Sequence, residues 1–251
     1  MPPSRSPDNR PVALVTGAAR RIGATIARTL HGAGYDLVLH CHASLHEGQA
    51  LCDELLAARA DSAIVASADL ADDTAPTRLV EAAVDRFGRL DALVNNASRF
   101  RPTPLGTITA ADWDELFASN ARAPLFLAQA AAPLLRDRGG AIVNLVDIYA
   151  ERPLPDHPVY VMAKAALSAL TLALARDLGP AVRVNAIAPG AILWPEQPPP
   201  DYGKERLLES TALKRTGTPA DIAGAVLYLL RDATYVTGEI LRVDGGRWLS
   251  I

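Results

Sequence analysis

The amino-acid sequence predicts a doubly wound α/β protein, with about seven parallel strands in one sheet and helices on both of its faces. Short apolar runs of strand length alternate with segments of helical periodicity along the whole chain. A glycine-rich turn stands where the first strand meets the first helix. The 251 residues, 49% hydrophobic and 21% charged, are enough to bury one sizeable core. We therefore expect a single domain.

The predicted elements leave room for a helix between most consecutive strands, which implies right-handed crossovers and a mostly parallel sheet. The expected strands are 11–16, 36–42, 63–68, 90–94, 141–146, 182–187 and 240–243. The expected helices are 21–33, 44–59, 74–87, 110–120, 121–138, 158–178, 203–211 and 219–230. Residues 1–10 are interpreted as a disordered arm, which leaves 11–251 as the domain. The proline-rich segment 193–202 is expected to form a mobile flap over a site.

Composition excludes several classes of function. A net charge of −3 gives no reason to expect nucleic acid or an anionic membrane surface as a partner. No uninterrupted apolar run approaches the roughly 20 residues that cross a bilayer, and the N-terminus lacks the apolar segment of a signal peptide. Cys41 and Cys52 are too few for a disulfide framework. These features favour a cytoplasmic protein that acts on a small molecule.

The turn after the first strand is the first candidate site. It reads Thr-Gly-Ala-Ala-Arg-Arg-Ile-Gly, with Gly17 and Gly23 allowing a tight turn and a close approach of backbones. The following helix, beginning near Arg21 and Ile22, offers amide donors and a partial positive charge to a pyrophosphate. The segment predicts a Rossmann-type dinucleotide site, with a purely structural strand–turn–helix as the alternative.

The end of the second strand favours NADPH over NADH as the cofactor. An NAD enzyme usually carries an acidic residue there that binds the ribose 2′-hydroxyl. The sequence at this end contains no carboxylate, and Asp36 lies at the opposite end of the strand. Arg21 is placed to reach a 2′-phosphate, with His40, His42 and Ser44 as hydrogen-bond donors.

A metal site is the alternative for the histidines at 40, 42 and 46. The first two are expected on one strand face, with Cys41 on the opposite face. No carboxylate or cysteine stands at a convincing ligand spacing, so we expect no metal.

The third strand is followed by a candidate adenine contact. Asp69 could accept a hydrogen bond from the adenine amino group, with Leu70 packed on the ring. An ordinary helix N-cap is an equally good explanation of Asp69.

Tyr160 and Lys164 are the strongest candidates for catalysis. Their four-residue spacing places both side chains on one face of a helix. There an ammonium lowers the cost of removing the phenol proton, or holds a ribose beside it. Asp147 stands upstream, directly after the apolar run that predicts the fifth strand.

Several motifs occur in a fixed order along the chain and together resemble the short-chain dehydrogenase/reductase family from about residue 12 to residue 249. They are the glycine turn, Asn95-Asn96-Ala97, Asn120, Tyr160 with Lys164, Pro189-Gly190 and Asp244-Gly245-Gly246. Arg21 replaces the middle glycine of the family's turn, and Ser98 replaces the glycine of its Asn-Asn-Ala-Gly element.

The resemblance implies a role for each matched residue. Tyr160 would be the acid/base group, Lys164 would bind the nicotinamide ribose, and Asn120 would support a water in a proton relay. Further cofactor contacts are implied for Asn96, Ala97, Ser98, Tyr160, Lys164, Pro189, Gly190 and Ile192. By family analogy, helices 121–138 and 158–178 would pair across subunits of a homotetramer.

Asp147 points to one branch of this family, the pteridine reductases, because most members carry a serine at this position. An ionised carboxylate only accepts hydrogen bonds, which suits a substrate that offers N–H groups. Phe100 matches a phenylalanine that stacks a planar pterin against the nicotinamide, and Ser98 matches a serine that contacts cofactor and substrate. Ser98, Phe100, Asp147 and Tyr160 are therefore the expected substrate contacts, although Phe100 is also compatible with core packing.

The resemblance to that branch is incomplete. His157 stands where protozoal members have a second tyrosine, Ala43 where they have a phosphate-binding arginine, and residues 194–202 also differ. The expected activity is NADPH-dependent reduction of a dihydropterin or dihydrofolate to the tetrahydro form, with the proton from Tyr160. Two alternatives remain: a carbonyl reductase of the 3-oxoacyl-carrier-protein type, and a non-catalytic NADP(H)-binding regulatory protein.

Overall fold

A computed structural model describes residues 10–193 and 204–250 of the chain. The described part contains seven parallel strands: β1 (Val12–Val15), β2 (Asp36–Cys41), β3 (Ala63–Ser67), β4 (Ala92–Asn95), β5 (Ala141–Leu145), β6 (Arg183–Pro189) and β7 (Ile240–Val243). They form one sheet in the order β3-β2-β1-β4-β5-β6-β7. The order reverses between β1 and β4, which opens a crevice at the carboxyl ends of these strands.

Eight α-helices flank this sheet: α1 (Arg21–Gly32), α2 (Leu45–Ala58), α3 (Ala75–Phe87), α4 (Ala110–Phe117), α5 (Ala123–Arg136), α6 (Pro158–Leu178), α7 (Lys204–Glu209) and α8 (Pro219–Leu227). Helices α1, α2 and α8 contribute to the core on one face. Helices α3, α5 and α6 contribute to the core on the other face. The predicted doubly wound Rossmann-type fold is confirmed.

The central strands are apolar on both faces because helices cover both sides of the sheet. Every residue of β1, β2, β4 and β5 is buried. Near-continuous apolar runs, rather than alternating ones, are therefore the expected sequence pattern of these strands.

Two helix starts follow directly from local sequence. Thr109 and Asp112 form a reciprocal capping box at the start of α4. Thr218 and Asp221 do the same at α8, where Pro219 occupies the first turn. Each box satisfies amide groups that a helix otherwise leaves without partners.

Two predicted helices end earlier than expected because the chain widens into a π-helical turn. Residues Ala118–Arg122 form such a turn between α4 and α5, and Tyr228–Asp232 form another after α8. The first turn contains Asn120, which is fully buried. Single π-helical turns are rare and are frequently found at functional sites.

A chain of buried amide and hydroxyl groups joins β4, β5 and α6. The Asn95 amide donates to Oδ1 of Asn144 (2.8 Å), and the Asn144 amide donates to Oγ1 of Thr171 (2.9 Å). The Thr171 hydroxyl donates in turn to the Leu167 carbonyl (2.9 Å). These hydrogen bonds tie the ends of β4 and β5 to the middle of α6.

Helix α6 presents a buried stripe that includes Tyr160, Lys164, Leu167 and Thr171. Within the described residues it is also the one helix long and apolar enough, by length and composition alone, to cross a membrane. Here it packs on β6 and carries the Tyr160 and Lys164 side chains into the protein. Its buried residues face the sheet, whereas Met162 and Leu172 are exposed.

Candidate active site

Two adjoining cavities lie at the carboxyl ends of the strands. The smaller, of about 320 Å³, is lined by the glycine turn and by the end of β2. The larger, of about 760 Å³, contains Asp147, Tyr160 and Lys164. Both cavities share wall residues: Arg20, Arg21, Ile22, Asn96 and Ser98. The two spaces are therefore continuous along the crevice where open α/β sheets bind ligands.

The glycine turn lies against the chain after β4 so closely that side chains are excluded. Gly17 has φ of +62°, and a Cβ on Gly23 would lie 2.1 Å from the Gly17 carbonyl oxygen. Arg20 precedes α1 without a capping hydrogen bond from its side chain, and the first turn of α1 contains no acidic residue. The first amide groups of α1 are therefore suited to an anionic ligand such as a pyrophosphate.

Arg21 adopts a left-handed conformation that L-residues other than glycine rarely take. Its φ is +53°, at the position where the family pattern has glycine. The residue lines both cavities. This conformation is strained by about 1–3 kcal/mol, and such strain is found mainly at functional positions.

The end of β2 differs from the sequence expectation at one residue. His42 and Ser44 line the smaller cavity as predicted, together with Cys41. His40 does not: its side chain is 2% exposed, and both ring nitrogens are occupied inside the protein. The prediction that His40 donates a hydrogen bond to the 2′-phosphate is therefore wrong. The strand ends at Cys41, so the alternation that would have placed residues 40 and 42 on one face does not continue.

The candidate adenine contact is occupied by local hydrogen bonds. Oδ1 of Asp69 accepts from the Ala71 amide (3.0 Å), and its other oxygen lies 3.7 Å from Nε2 of His42. Helix α3 has Thr74 at its N-cap, so Asp69 closes a turn before the helix and does not cap it. Leu70 is buried. Neither Asp69 nor Leu70 lines the two cavities.

Tyr160 and Asp147 are in direct contact. The Tyr160 hydroxyl donates to Oδ2 of Asp147 at 2.7 Å, and Oδ1 accepts from the Tyr149 amide at 2.9 Å. Lys164 donates from Nζ to the Leu145 carbonyl at 2.8 Å. Strand β5 thus delivers Asp147 to the first turns of α6, where the predicted four-residue spacing places Tyr160 and Lys164.

Burial determines the protonation behaviour of these three groups. Loss of solvent raises the pKa of Asp147, opposed by its hydrogen bonds and by the charges of Lys164 and Arg247. Burial and the Asp147 carboxylate raise the pKa of Tyr160 well above its usual value. Burial lowers the pKa of Lys164 to about 8, against the effect of Asp147. Tyr160 is therefore held as a protonated acid at neutral pH.

Ser98 lines both cavities, and Asn120, which is fully buried, lies behind it and lines neither. The Ser98 hydroxyl donates to Oδ1 of Asn120 at 2.7 Å. The Asn120 amide donates to the carbonyls of Arg99 and Leu116 at 2.8 and 2.9 Å. The Asn120 side chain therefore ties the loop after β4 to the π-helical turn.

Phe100 extends into the larger cavity and is 57% exposed, which excludes the alternative of a core position. Its ring stacks on His157 with centroids 4.7 Å apart, and meets the Tyr160 ring edge-on at 4.8 Å. The Phe100 ring is therefore fixed in orientation by the rings of His157 and Tyr160.

The end of β6 forms the third side of the larger cavity, lined by Pro189, Gly190 and Ile192. A Cβ on Gly190 would lie 2.6 Å from Cα of Asp244, so this position requires glycine. The predicted flap begins at Leu193, and its remaining residues lie outside the described part of the chain.

Tyr149 and Arg247 are a feature that the sequence analysis missed. Tyr149 lines the larger cavity, and its hydroxyl accepts from Nη2 of Arg247 at 3.2 Å. Nη1 of the same guanidinium donates to the Ser210 hydroxyl at 3.0 Å, just after α7. Arg247, which follows Asp244-Gly245-Gly246, thus contacts the loop that follows Asp147, and the position of Tyr149 two residues after Asp147 was the only sign of this contact in the sequence.

The neighbouring Trp248 strengthens this connection. Its ring lies between the guanidinium groups of Arg152 and Arg242, each 4.4 Å from the ring centre. Arg242 also donates to Glu151 at 2.5 Å. The turn Arg247–Ser250 is therefore fastened to the loop that follows Asp147.

Within residues 10–193 and 204–250, no three histidine, cysteine or acidic side chains come together as a metal site. Comparison with known protein families explains the arrangement of residues around the two cavities. A family model described as enoyl-(acyl carrier protein) reductase matches residues 17–247, almost the whole described chain. The chain belongs to the short-chain dehydrogenase/reductase family. It is accordingly an NAD(P)-dependent oxidoreductase that acts on a small molecule.

Relatives of this reductase carry different substrate names. A protein of Streptomyces violaceoruber named as ketoacyl reductase 2 of the granaticin polyketide synthase is 41% identical, over 95% of this chain and 96% of the relative. Pteridine reductase 1 of Leishmania tarentolae is 37% identical, over 94% and 96%. A 3-oxoacyl-(acyl-carrier-protein) reductase of Staphylococcus aureus is 36% identical, over 94% and 98%. Overall identity therefore does not separate ketone from pterin reduction.

Proposed function

We propose that this protein is an NADPH-dependent reductase of dihydropterins or dihydrofolates. The observation that carries the proposal is the Asp147 carboxyl, which accepts a hydrogen bond from the Tyr160 hydroxyl at 2.7 Å where most of the family has a serine hydroxyl. A serine donates to a substrate carbonyl oxygen, whereas an ionised carboxylate accepts from substrate N–H groups. The site is therefore suited to a nitrogen heterocycle.

The chain's own residues fit a nicotinamide dinucleotide. Gly17 and Gly23 allow the turn to pack closely against Asn96 and Ala97, next to the start of α1, which has no side-chain cap. Arg21, His42 and Ser44 lie together on the wall of the smaller cavity and would hold a 2′-phosphate. Asp36 is buried at the far end of β2, where it is paired with Arg10 and Arg59. No carboxylate lines the smaller cavity, which supports NADPH.

The reaction adds a hydride to a ring carbon and a proton to the adjacent nitrogen of a C=N bond. When bound, the nicotinamide supplies the hydride. Tyr160 supplies the proton, because burial and Asp147 keep its hydroxyl protonated. Lys164, beside Leu145 at the base of the cavity, would hold the nicotinamide ribose. Asp147 keeps its second role as the acceptor that orients substrate N–H groups.

Phe100 supports a planar substrate. Its exposed ring stands edge-on to Tyr160, backed by His157. A flat heterocycle stacked on this ring would gain about 0.5–1.5 kcal/mol beyond area burial. Ser98, beside both Asn120 and the cavity, would contact cofactor and substrate.

Ketone reduction is the second candidate, since two of the relatives above are named as ketoacyl or 3-oxoacyl reductases. The carboxyl of Asp147 argues against it, because it offers no hydroxyl to polarise a carbonyl. A regulatory protein without turnover is the third candidate. It would have no need for the buried contact of Tyr160 with Asp147 or for the desolvated Lys164.

We also propose a homotetramer in the cytoplasm. Helices α4, α5 and α6 expose large apolar side chains, among them Trp113, Leu125, Phe126, Met162 and Leu172. A second copy covering these helices would bury them. Free Cys41 and Cys52 are consistent with a reducing compartment. Sedimentation of the purified protein tests the tetramer, and a monomer at micromolar concentration would contradict it.

One substrate panel separates the three functions. NADPH oxidation is measured in parallel with dihydrobiopterin, dihydrofolate and an acetoacetyl thioester, and repeated with NADH. We expect turnover of at least one of the two heterocycles and a preference for NADPH. Turnover of the thioester alone would overturn the pterin assignment. Tight NADPH binding with no turnover of any of them would favour the regulator.

A further inference from the structure

His40 joins two parts of the cofactor site without lining it. The Gly17 amide donates to Nδ1 of His40 at 3.2 Å, and the next amide, of Ala18, donates to the His40 carbonyl at 2.8 Å. On the other side of the ring, Nε2 lies 3.1 Å from the Ala68 carbonyl. His40 therefore accepts hydrogen bonds from the amides of Gly17 and Ala18 and also contacts the loop after β3.

These contacts define the protonation state of the ring. An amide can only donate, so Nδ1 must be the unprotonated nitrogen, and Nε2 must carry the hydrogen that it donates to Ala68. A protonated ring would place an N–H on Nδ1, facing the N–H of Gly17. The observed turn therefore requires neutral His40.

The opposite side of the turn has its own support. The Asn96 amide donates to the carbonyls of Thr16 and Gly17 at 2.8 and 3.1 Å. Asn96 thus holds the carbonyl side of the turn, whereas His40 holds its amide side. With both in place, the amides of Gly17 and Ala18 point inward, and those at the start of α1 remain for a ligand.

We propose that His40 is a positioning residue of the cofactor site, whose neutral ring holds the glycine turn in its binding conformation and releases it on protonation. Acid would then weaken cofactor binding before it unfolds the protein. This inference rests on the cofactor binding of the family and is independent of the pterin substrate.

The surroundings of His40 oppose its protonation on balance. Burial is the largest effect and lowers its pKa from 6.5; the hydrogen bond to Ala68 raises the pKa, His42 lowers it, and Asp69 raises it. Cys41 has a thiol whose pKa is raised by burial, so it adds no charge at neutral pH. Stability linked to His40 is therefore complete above about pH 6.5 and is lost as the pH falls through the lowered pKa.

Two substitutions separate the two ring contacts. His40→Asn keeps an acceptor near the Nδ1 position and cannot titrate, while it loses the donor to Ala68. His40→Gln reaches toward Ala68 and loses the acceptor for Gly17. His46→Asn, on the exposed face of α2, is the matched control that removes a histidine outside the cavities.

The dissociation constants of NADP⁺ and NAD⁺ are measured by calorimetry from pH 5 to pH 8, with circular dichroism to confirm folding at each pH. We expect the wild type and His46→Asn to lose affinity by up to about tenfold per pH unit below the His40 pKa, relative to His40→Asn. At pH 8 His40→Asn should bind within about tenfold of the wild type, and His40→Gln more weakly than His40→Asn. Parallel pH curves for the wild type and His40→Asn would overturn the proposal.

A second measurement needs no variant. In protein labelled with ¹⁵N-histidine, the proposal requires a neutral ring for His40 at pH 7.5, with hydrogen on Nε2. A charged ring or the opposite tautomer would refute it even if His40→Asn fails to fold. Tighter binding of NAD⁺ than of NADP⁺ would contradict the proposed cofactor preference and leave this comparison intact.

Discussion

The hydroxyl of Tyr160 donates to Oδ2 of Asp147 at 2.7 Å, beside a cavity where Tyr160 is almost fully buried and Asp147 is half-buried. This contact couples the two groups, because an ionised Asp147 makes a Tyr160 phenolate more costly. The pair therefore keeps Tyr160 protonated at neutral pH, and a protonated hydroxyl can donate to a substrate base but cannot remove a proton from a substrate alcohol. Reduction, rather than the reverse oxidation, is the direction that this arrangement supports.

Tyr160→Phe should lower kcat about 100-fold or more, since general acid catalysis contributes roughly 10²–10⁴-fold. NADPH affinity should stay nearly unchanged, which fluorescence titration checks. Tyr228→Phe, at a half-exposed tyrosine after α8, is the control and should retain full activity. A Tyr160→Phe enzyme with most of its rate would identify another proton donor.

Asp147→Asn should reduce kcat/KM for the dihydropterin by about 10- to 100-fold, as expected for a lost hydrogen bond to a charged group. Asp147→Ser should have a similar loss and should increase turnover of the acetoacetyl thioester. The steady-state kinetics of both variants are compared on the two substrates. Unchanged pterin kinetics in both would remove Asp147 from substrate recognition.

The pH profile should reflect Lys164. Its pKa of about 8 means that the ammonium is charged below this pH and neutral above it. The kcat/KM for NADPH should therefore fall above about pH 8. In Lys164→Arg the guanidinium stays charged, so the descending limb should disappear from the measured range. If kcat/KM for NADPH still falls above pH 8 in Lys164→Arg, the fall must come from the titration of another group.

The same lysine has a consequence for stability. An exposed lysine titrates near 10.5, so the unfolded chain binds more protons than the folded protein between pH 8 and 10.5. The contribution of Lys164 to the free energy of unfolding should therefore rise across this window. Lys164→Met should remove that rise, which urea unfolding at several pH values can measure.

Arg21→Gly should stabilise the protein and weaken its binding of NADPH. Glycine relieves the left-handed strain at φ of +53°, which should raise the free energy of unfolding by up to about 1 kcal/mol after the entropy of glycine is included. Loss of the guanidinium should weaken NADPH binding. Lys214→Gly removes a similar strain (φ +54°) at an exposed site and should leave binding unchanged. Equal NADPH affinity for Arg21→Gly and wild type would exclude Arg21 from the phosphate site.

Asn144→Ala should destabilise the protein by about 1–3 kcal/mol, because the buried Asn95 amide loses its acceptor on β5. Thr171→Val shortens the same chain of hydrogen bonds at its other end and should have a smaller effect. Urea unfolding with a common m-value compares the two. Equal stability of Asn144→Ala and wild type would mean that water replaces the lost partner.

Much of the architecture could be predicted because the strands and helices differ clearly in periodicity. The bounds of α6 and β7 agree with the prediction, and the glycine turn, Tyr160, Lys164 and Asp147 come together at the strand ends. These features depend on local spacing and on the rule that parallel strands share one carboxyl edge. The π-helical turns at Ala118–Arg122 and Tyr228–Asp232 were missed, because no local residue pattern distinguishes them from α-helix.

The orientation of individual side chains was less predictable. His40 turns inward because Gly17 and Ala68, distant in sequence, both offer it hydrogen bonds. Asp69 closes a turn with Ala71, and this local bond competes with any outward role. The partnership of Tyr149 with Arg247 joins residues nearly a hundred positions apart, which no motif in the sequence indicates.

Arg247 and Trp248 contact the loop that follows Asp147, so different parts of the chain hold different sides of the larger cavity. The glycine turn, Asp147, Tyr160 and Lys164 are held by β1, β5 and α6, whereas Tyr149, on the wall of the larger cavity, is held by the last described turn. Substitutions in that turn can change the position of Tyr149 without touching Tyr160 or Lys164. The turn Arg247–Ser250 is thus an indirect means of altering one wall of the larger cavity.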